Sequence, residues 1–269
     1  MVQNPLLTRL SGLVRRAAAP VALVLAMGTS GCATIEDMFR QKPQALLPAA
    51  DLYQQGEQEM NKKNYLVARA SFQKIVERHP QSNYAARARF LIGETYFREG
   101  AFDKAIKEFE GFLSFYPRHE IADLVQYRLA MSYYDQLKPV EQDQGLTVKA
   151  MEQFRKLVRE YPDSRYASEA LAKIEVCRGR LAQKELWVAA YYLENENNPV
   201  AARQRLEGVL KNYPRSLIVP EALYRLADIN AREGRTDEAQ LGFKRLADEY
   251  AYTEWGRRAI QRLRTATTK

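Results

Sequence analysis

Cysteine and histidine are the scarcest reactive residues in this chain. Its 269 residues hold two of each: Cys32, Cys177, His79 and His119. That supply, so widely spread, offers no zinc-type ligand cluster. Both histidines flank a proline ("RHPQS", "YPRHE"), which assigns them to turns. A glycine-rich phosphate loop, a nucleophile elbow and a catalytic Cys–His context are also missing from the sequence. The expectation is therefore a non-enzyme without catalytic residues, metal or cofactor. Cys177 stands in an apolar helical run ("ALAKIEVCRGRL"), where a buried, inert thiol is expected. Long apolar runs are lacking too. The run over 17–27 falls short of the roughly 20 residues of a membrane span, and Pro20 interrupts it. The pI of 9.4 raises the question of nucleic acid. Acids and bases alternate here as on solvated helix faces, and no basic face interleaved with aromatics stands out, so no nucleic-acid partner is expected.

What is present begins with an address. Residues 1–31 carry Arg9, Arg15 and Arg16, no acid, a short apolar stretch and then small residues up to Gly31, the layout of a secretory signal. Cleavage after Gly28 would leave Cys32 as a free thiol near the new N-terminus. Cleavage before Cys32 would make it the first residue. "TSGC" resembles a bacterial lipoprotein box, with Ser30 and Gly31 in place and Thr29 where leucine is usual. That resemblance implies a covalent N-acyl and S-diacylglycerol lipid on Cys32. Ala33 behind it implies delivery to the outer membrane. Two or more acyl chains hold a protein on a bilayer at about 0.8 kcal/mol per buried CH₂. Residues 34–48 then read as a tether. Removing the three signal arginines lowers the formal charge from +8 to +5, a modest excess.

The remainder is organised by repetition. "VERHPQS" (76–82), "LSFYPRH" (113–119), "VREYPDS" (158–164) and "LKNYPRS" (210–216) each end a helical run with a proline, and "LADEYAYT" (246–253) is a fifth copy with Ala251 in the proline place. A period in the thirties signals a solenoid. Aligned on the proline, Gly93, Tyr96, Ala105, Phe109 and Pro117 take the small and aromatic places of a tetratricopeptide (TPR) repeat. Gly56, Ala68, Phe72 and Pro80 do so in the first copy, and Ala227, Ala239 and Phe243 in the fifth. The fold class expected is all-α: a right-handed TPR superhelix of about five helix-turn-helix repeats. A polar insertion (137–145) divides the third copy. The fourth opens with a long helix, roughly 165–194, and a basic amphipathic helix over 254–265 caps the stack.

In TPR repeats the first helix of each pair lines the concave surface. Tyr53, Phe90, Tyr127 and Tyr224 share one place on those helices, three residues before the small residue. Phe97 stands four places after it, with Glu94, Arg98 and Arg128 nearby. Residues three and four apart share a helix face, so an aromatic stripe edged by charge is expected, suited to a peptide with aromatic side chains and a carboxylate. Aromatics at helical spacing also build cores, and the sequence leaves both readings open for each of them.

The signal with its lipid box, the repeats and the long fourth helix together resemble the BamD family, also called YfiO or ComL. These are TPR lipoproteins of the machinery that assembles β-barrels in Gram-negative outer membranes. The most specific stretches are "YPDSRYASEALAKIEVCRGRLAQKELWVAAYYL" (161–193) and "AARQRLEGVLKNYP" (201–214). The chain departs from the family at Thr29 and in "ENENNPVAA" (194–202), where a glycine-containing turn is more usual. The resemblance implies a non-enzymatic scaffold held by lipid at the periplasmic face of the cell outer membrane. It implies docking of the C-terminal repeats on the BamA periplasmic POTRA domain nearest the barrel. It also implies contact with other Bam lipoproteins such as BamC and BamE where present, and reception of unfolded outer-membrane β-barrel proteins by the N-terminal repeats. The groove candidates are then Tyr53, Phe90, Glu94, Phe97, Arg98 and Tyr127. The docking candidates are Tyr224, Arg232, Arg257, Arg258, Arg262 and Arg264. The expected divisions are 1–31 signal, 32–48 lipidated N-terminus and tether, 49–136 N-terminal repeats, 137–164 the rest of the third repeat with its insertion, and 165–269 C-terminal repeats with the capping helix. The alternative is a periplasmic TPR adaptor that coordinates cell-wall synthesis with envelope constriction. It would be favoured by a coiled coil before the repeats, for which 33–48 is too short.

Overall fold

The computed structural model describes residues 47–267. Among these are eleven α-helices and no strand. They pair in sequence order: α1 (Ala49–Asn61) with α2 (Tyr65–Arg78), α3 (Ala85–Arg98) with α4 (Phe102–Phe115), α5 (Ala122–Tyr134) with α6 (Gly145–Glu160), α7 (Ala167–Glu194) with α8 (Pro199–Asn212), and α9 (Val219–Arg232) with α10 (Thr236–Glu249). The last helix, α11 (Glu254–Thr267), closes the stack against α10 and α9. This is the expected all-α stack of TPR-type hairpins.

The helix ends follow from the repeated prolines. α2, α4, α6 and α8 each stop two residues before Pro80, Pro117, Pro162 and Pro214. Proline disfavours helical geometry in the residue before it. His79, Tyr116, Tyr161 and Tyr213 accordingly leave the helix with φ between −130° and −133°. Tyr250 breaks at φ −131° as well, although Ala251 follows it. The turns inside the hairpins use a left-handed residue: Lys63, Gly100, Asn197 and Gly234 all have positive φ. Asparagine tolerates that region better than most residues, so Asn197 serves where the fourth turn lacks glycine.

Each regular hairpin packs a small residue under an aromatic one. A Cβ on Gly56 would overlap the Phe72 ring, and one on Gly93 would lie 2.6 Å from Phe109. Phe72, Phe109 and Phe154 are fully buried. Burial of such a ring is worth about 1.5–3 kcal/mol. The long α7 serves two neighbours in turn. Its first half packs Ala170, Ile174 and Cys177 against Phe154 and Leu157 of α6. Its second half packs Ala189 against Ala202 and Leu206 of α8. The Cys177 thiol is buried, and burial pushes its pKa up to about 11 against the opposing pull of Arg180 and Lys173.

Neighbouring hairpins are also joined by charge. Arg69 of α2 grips Glu99 just past α3, at 2.7–2.9 Å through both guanidinium nitrogens, and its guanidinium lies 3.7 Å from the Tyr96 ring centroid. The same place in the fourth hairpin is Arg203, which holds Glu233 at 2.6 Å and donates to Asn230.

Candidate functional site

The N-terminal candidates divide into an inner and an outer set. Phe90 and Tyr127 are 9% and 7% exposed. Phe90 stacks on Phe109, centroids 6.0 Å apart, and Tyr127 stacks on Tyr166 at 4.8 Å and meets Phe154. The Tyr127 hydroxyl donates to Glu169 at 2.5 Å, and burial together with that bond raises its pKa. These two rings are core, which corrects the expectation that they line an open groove. Their place lies three residues before the small residue, and the ring of the next helix claims that side of the backbone. Tyr53 is half-buried between Phe72 and Tyr84, and burial raises its pKa, with Glu57 adding to the shift.

The outer set is compact. Glu94 is only 3% exposed. Arg98, one turn along α3, reaches it at 3.0 Å, and Arg128 of α5 reaches its other oxygen at 3.0 Å. The Arg128 guanidinium sits 5.1 Å from the Phe97 ring centroid, and Phe97 packs edge-on against Phe102. Two partly exposed guanidinium groups thus rest on one buried carboxylate beside an aromatic ring. Their free donor edges can take a second carboxylate, and the ring can take an apolar neighbour.

The C-terminal candidates do not form one patch. Tyr224, Arg232 and Arg258 line a cavity of about 510 Å³ with Trp255 and Asp228. Tyr224 packs between Phe243 and Trp255, and Arg258 lies over Trp255 while pairing with Glu254 at 2.6 Å. Asp228 joins α9 to α11 by holding both Arg232 (2.8 Å) and Arg262 (2.7 Å). Arg262 lines an adjoining hollow beside Phe243. Arg257 instead donates to the Tyr252 carbonyl at 2.9 Å, on the turn before α11, and Arg264 is exposed near the end of that helix. Trp255 and Asp228 were not among the sequence candidates. The spacing of Asp228 and Arg232, one helical turn apart, is the signal that could have found the pair. Cys32 lies outside the described residues, as do the signal and the tether to residue 46.

Among the described residues there is no group of three or more metal-capable side chains, and no helix is long and apolar enough to cross a membrane. Stacked TPR-type hairpins define a helical-repeat protein. The family model YfiO, described as outer membrane lipoprotein, matches residues 46–246, and the chain belongs to that family. It is similar to outer membrane protein assembly factor BamD of Rickettsia prowazekii, 29% identical over 87% of this chain and 91% of that one. BamD of Caulobacter vibrioides is 28% identical over 84% of this chain and 73% of its own. Among solved structures, a thermophilic TPR protein of Thermus thermophilus overlays with a TM-score of 0.35 at 19% identity, covering 80% of this chain and 99% of that one.

Proposed function

We propose that this chain is a non-enzymatic scaffold of outer-membrane β-barrel assembly, anchored by lipid on Cys32 at the periplasmic face of the outer membrane. The observation that carries this reading is the family match across 46–246, joined by relatives that are outer membrane protein assembly factors. The outer set of Glu94, Phe97, Arg98 and Arg128 would receive the C-terminal segment of an unfolded barrel, with its aromatic residue on Phe97 and its carboxylate on the arginines. The face around Tyr224, Arg232, Trp255 and Arg258 would dock the BamA periplasmic POTRA domain. Other Bam lipoproteins would join where present.

The groove is tested by titrating the chain from residue 32 onward, carrying Cys32→Ser, with a labelled peptide that ends in an aromatic residue and a free carboxylate. Arg98→Ala with Arg128→Ala is expected to weaken binding about tenfold, the loss of a charge-assisted contact. Equal affinity of the variant, or of a scrambled peptide, contradicts the assignment. Phe90→Ala and Tyr127→Ala are poor probes, because both rings hold the core together. For the anchor, metabolic acyl labelling should be lost in Cys32→Ser. Cleavage after Gly28 with a free Cys32 thiol would overturn it.

A further inference from the structure

The fourth hairpin leaves a helix-sized place unfilled. α5 and α7 follow the same turn, and Pro117 and Ala122 of one align with Pro162 and Ala167 of the other. Along α5 two faces are buried. Val125 and Leu129 meet α4, while Tyr127 and Ala130 meet Ala150 and Phe154 of α6. Along the first half of α7 only the face toward α6 is buried, through Ala170, Ile174 and Cys177. The places that correspond to Tyr127 and Ala130 are Ala172 and Glu175, and both are exposed. The cause is helix length. α8 has 14 residues against the 28 of α7, and it packs on the second half, leaving the first half without a hairpin partner.

The vacant side is apolar at its centre and basic at its rim. Leu171 and Val176 are 52% and 47% exposed. A Cβ added to Gly179 would meet nothing within 4 Å. The turn from α8 to α9 forms the far wall of a cavity of about 520 Å³, and its Leu217 is 98% exposed. Arg215 stands on that turn, and the single acid of the cavity lining, Glu175, is already held by Arg178 at 3.0 Å. In the same wall, burial raises the Tyr213 pKa, with Glu185 adding to the shift and Arg155 and Arg178 opposing it. With Glu175 and Arg178 paired, Arg215 leaves the cavity lining with one positive charge in excess.

We infer that this gap receives an amphipathic helix of a partner protein, apolar on the face toward Val176 and Leu217 and acidic along the edge toward Arg215. A helix fits better than an extended segment because the place is one that α6 fills beside α5, and small residues (Ser168, Ala172, Gly179) let two helices approach to roughly 8–10 Å. This surface shares no residue with the two faces assigned above, so it stands whichever partners those faces take.

The test places the photo-crosslinking residue p-benzoylphenylalanine at Val176 or Leu217 of the full-length chain in intact cell envelopes, and at Leu241, exposed on α10 outside the cavity, as a control. The expected result is one protein adduct at both cavity positions and not at Leu241, cross-linked through an acidic helical segment. Its yield should fall about tenfold in Arg215→Glu, as expected for reversing a charge at a complementary rim. An adduct with lipid, with a second copy of the chain or with an extended segment, an unchanged yield in Arg215→Glu, or no adduct above the Leu241 control would each overturn the inference. The readout does not depend on a POTRA-containing partner, so its failure and the failure of the assembly reading are separable.

Discussion

The third and fourth hairpins start from the same turn and then part ways. α5 is matched by a helix of similar length, so its residues are buried toward both neighbours, and even the polar Gln126 and Ser132 are enclosed. α7 runs twice as far as its partner, so half of it is buried on one side only. The difference shows that a repeat core depends on matched helix lengths as much as on apolar content. Leu171 takes the place of the enclosed Gln126 and is more apolar than it, yet Leu171 and Val176 are exposed because nothing lies opposite.

The largest expected effect breaks the regular side of this comparison. Phe109→Ala or Phe154→Ala should destabilise the chain by about 3–5 kcal/mol, read from denaturant midpoints, because each ring is fully enclosed. Leu171→Ala on the open side of α7 should move the midpoint by no more than about 0.5 kcal/mol. Equal losses would mean that the exposed half of α7 is covered in the free protein.

Next in size is the Arg69 grip on Glu99. Arg69→Ala should cost about 2 kcal/mol, since it removes a charge-assisted, bidentate contact from a mostly buried site. Arg87, which pairs with Glu120 on the surface at 2.6 Å, should show a much smaller effect when changed to alanine.

Cys177 sharpens the comparison from the buried stripe of α7. Burial raises its thiol pKa from 9.0 to about 11. A raised folded value means that the unfolded chain loses its proton first. Stability from this group is complete below pH 9 and is lost as pH rises toward 11. Tyr127, also raised by burial and by its bond to Glu169, changes stability in the same direction above pH 10. Melting temperature should therefore fall between pH 9 and pH 11, and a maleimide reagent at neutral pH should leave Cys177 unmodified until the chain unfolds. Cys177→Ala should flatten part of the alkaline slope.

The smallest effect, at Gly179, is a reversal of the sign seen at Gly93. Gly93→Ala should destabilise by about 1–3 kcal/mol, because its new methyl meets Phe109 at 2.6 Å. Gly179→Ala should stabilise by about 0.5–1 kcal/mol, the usual gain for replacing a helical glycine where space is open. A loss at Gly179 would show that its side of α7 is already in contact with something.

The hairpins were legible in the sequence because proline, small and aromatic places recur at fixed offsets, and each has one physical job. The long helix was legible for the same reason: no proline interrupts 167–194 and Gly179 is its single glycine. Burial of the stripe was not. Phe90 and Phe97 lie seven residues apart on one helix, yet Phe90 enters the core and Phe97 stays half-open. What separates them is which neighbouring helix ends where, and spacing alone does not carry that. The paired clasps at Arg69 and Arg203 could have been read, since each arginine precedes its glutamate by the same interval in two aligned copies. The gap beside α7 appears only when the two helix lengths are set side by side.

The assembly reading turns on one measurement above others: purification of the full-length chain from cross-linked envelopes, with its partners identified by mass spectrometry. The account predicts an outer-membrane barrel protein with POTRA domains as a dominant partner, reduced when Arg232 and Arg258 are both changed to glutamate. Recovery of cell-wall enzymes without any such barrel protein would contradict it.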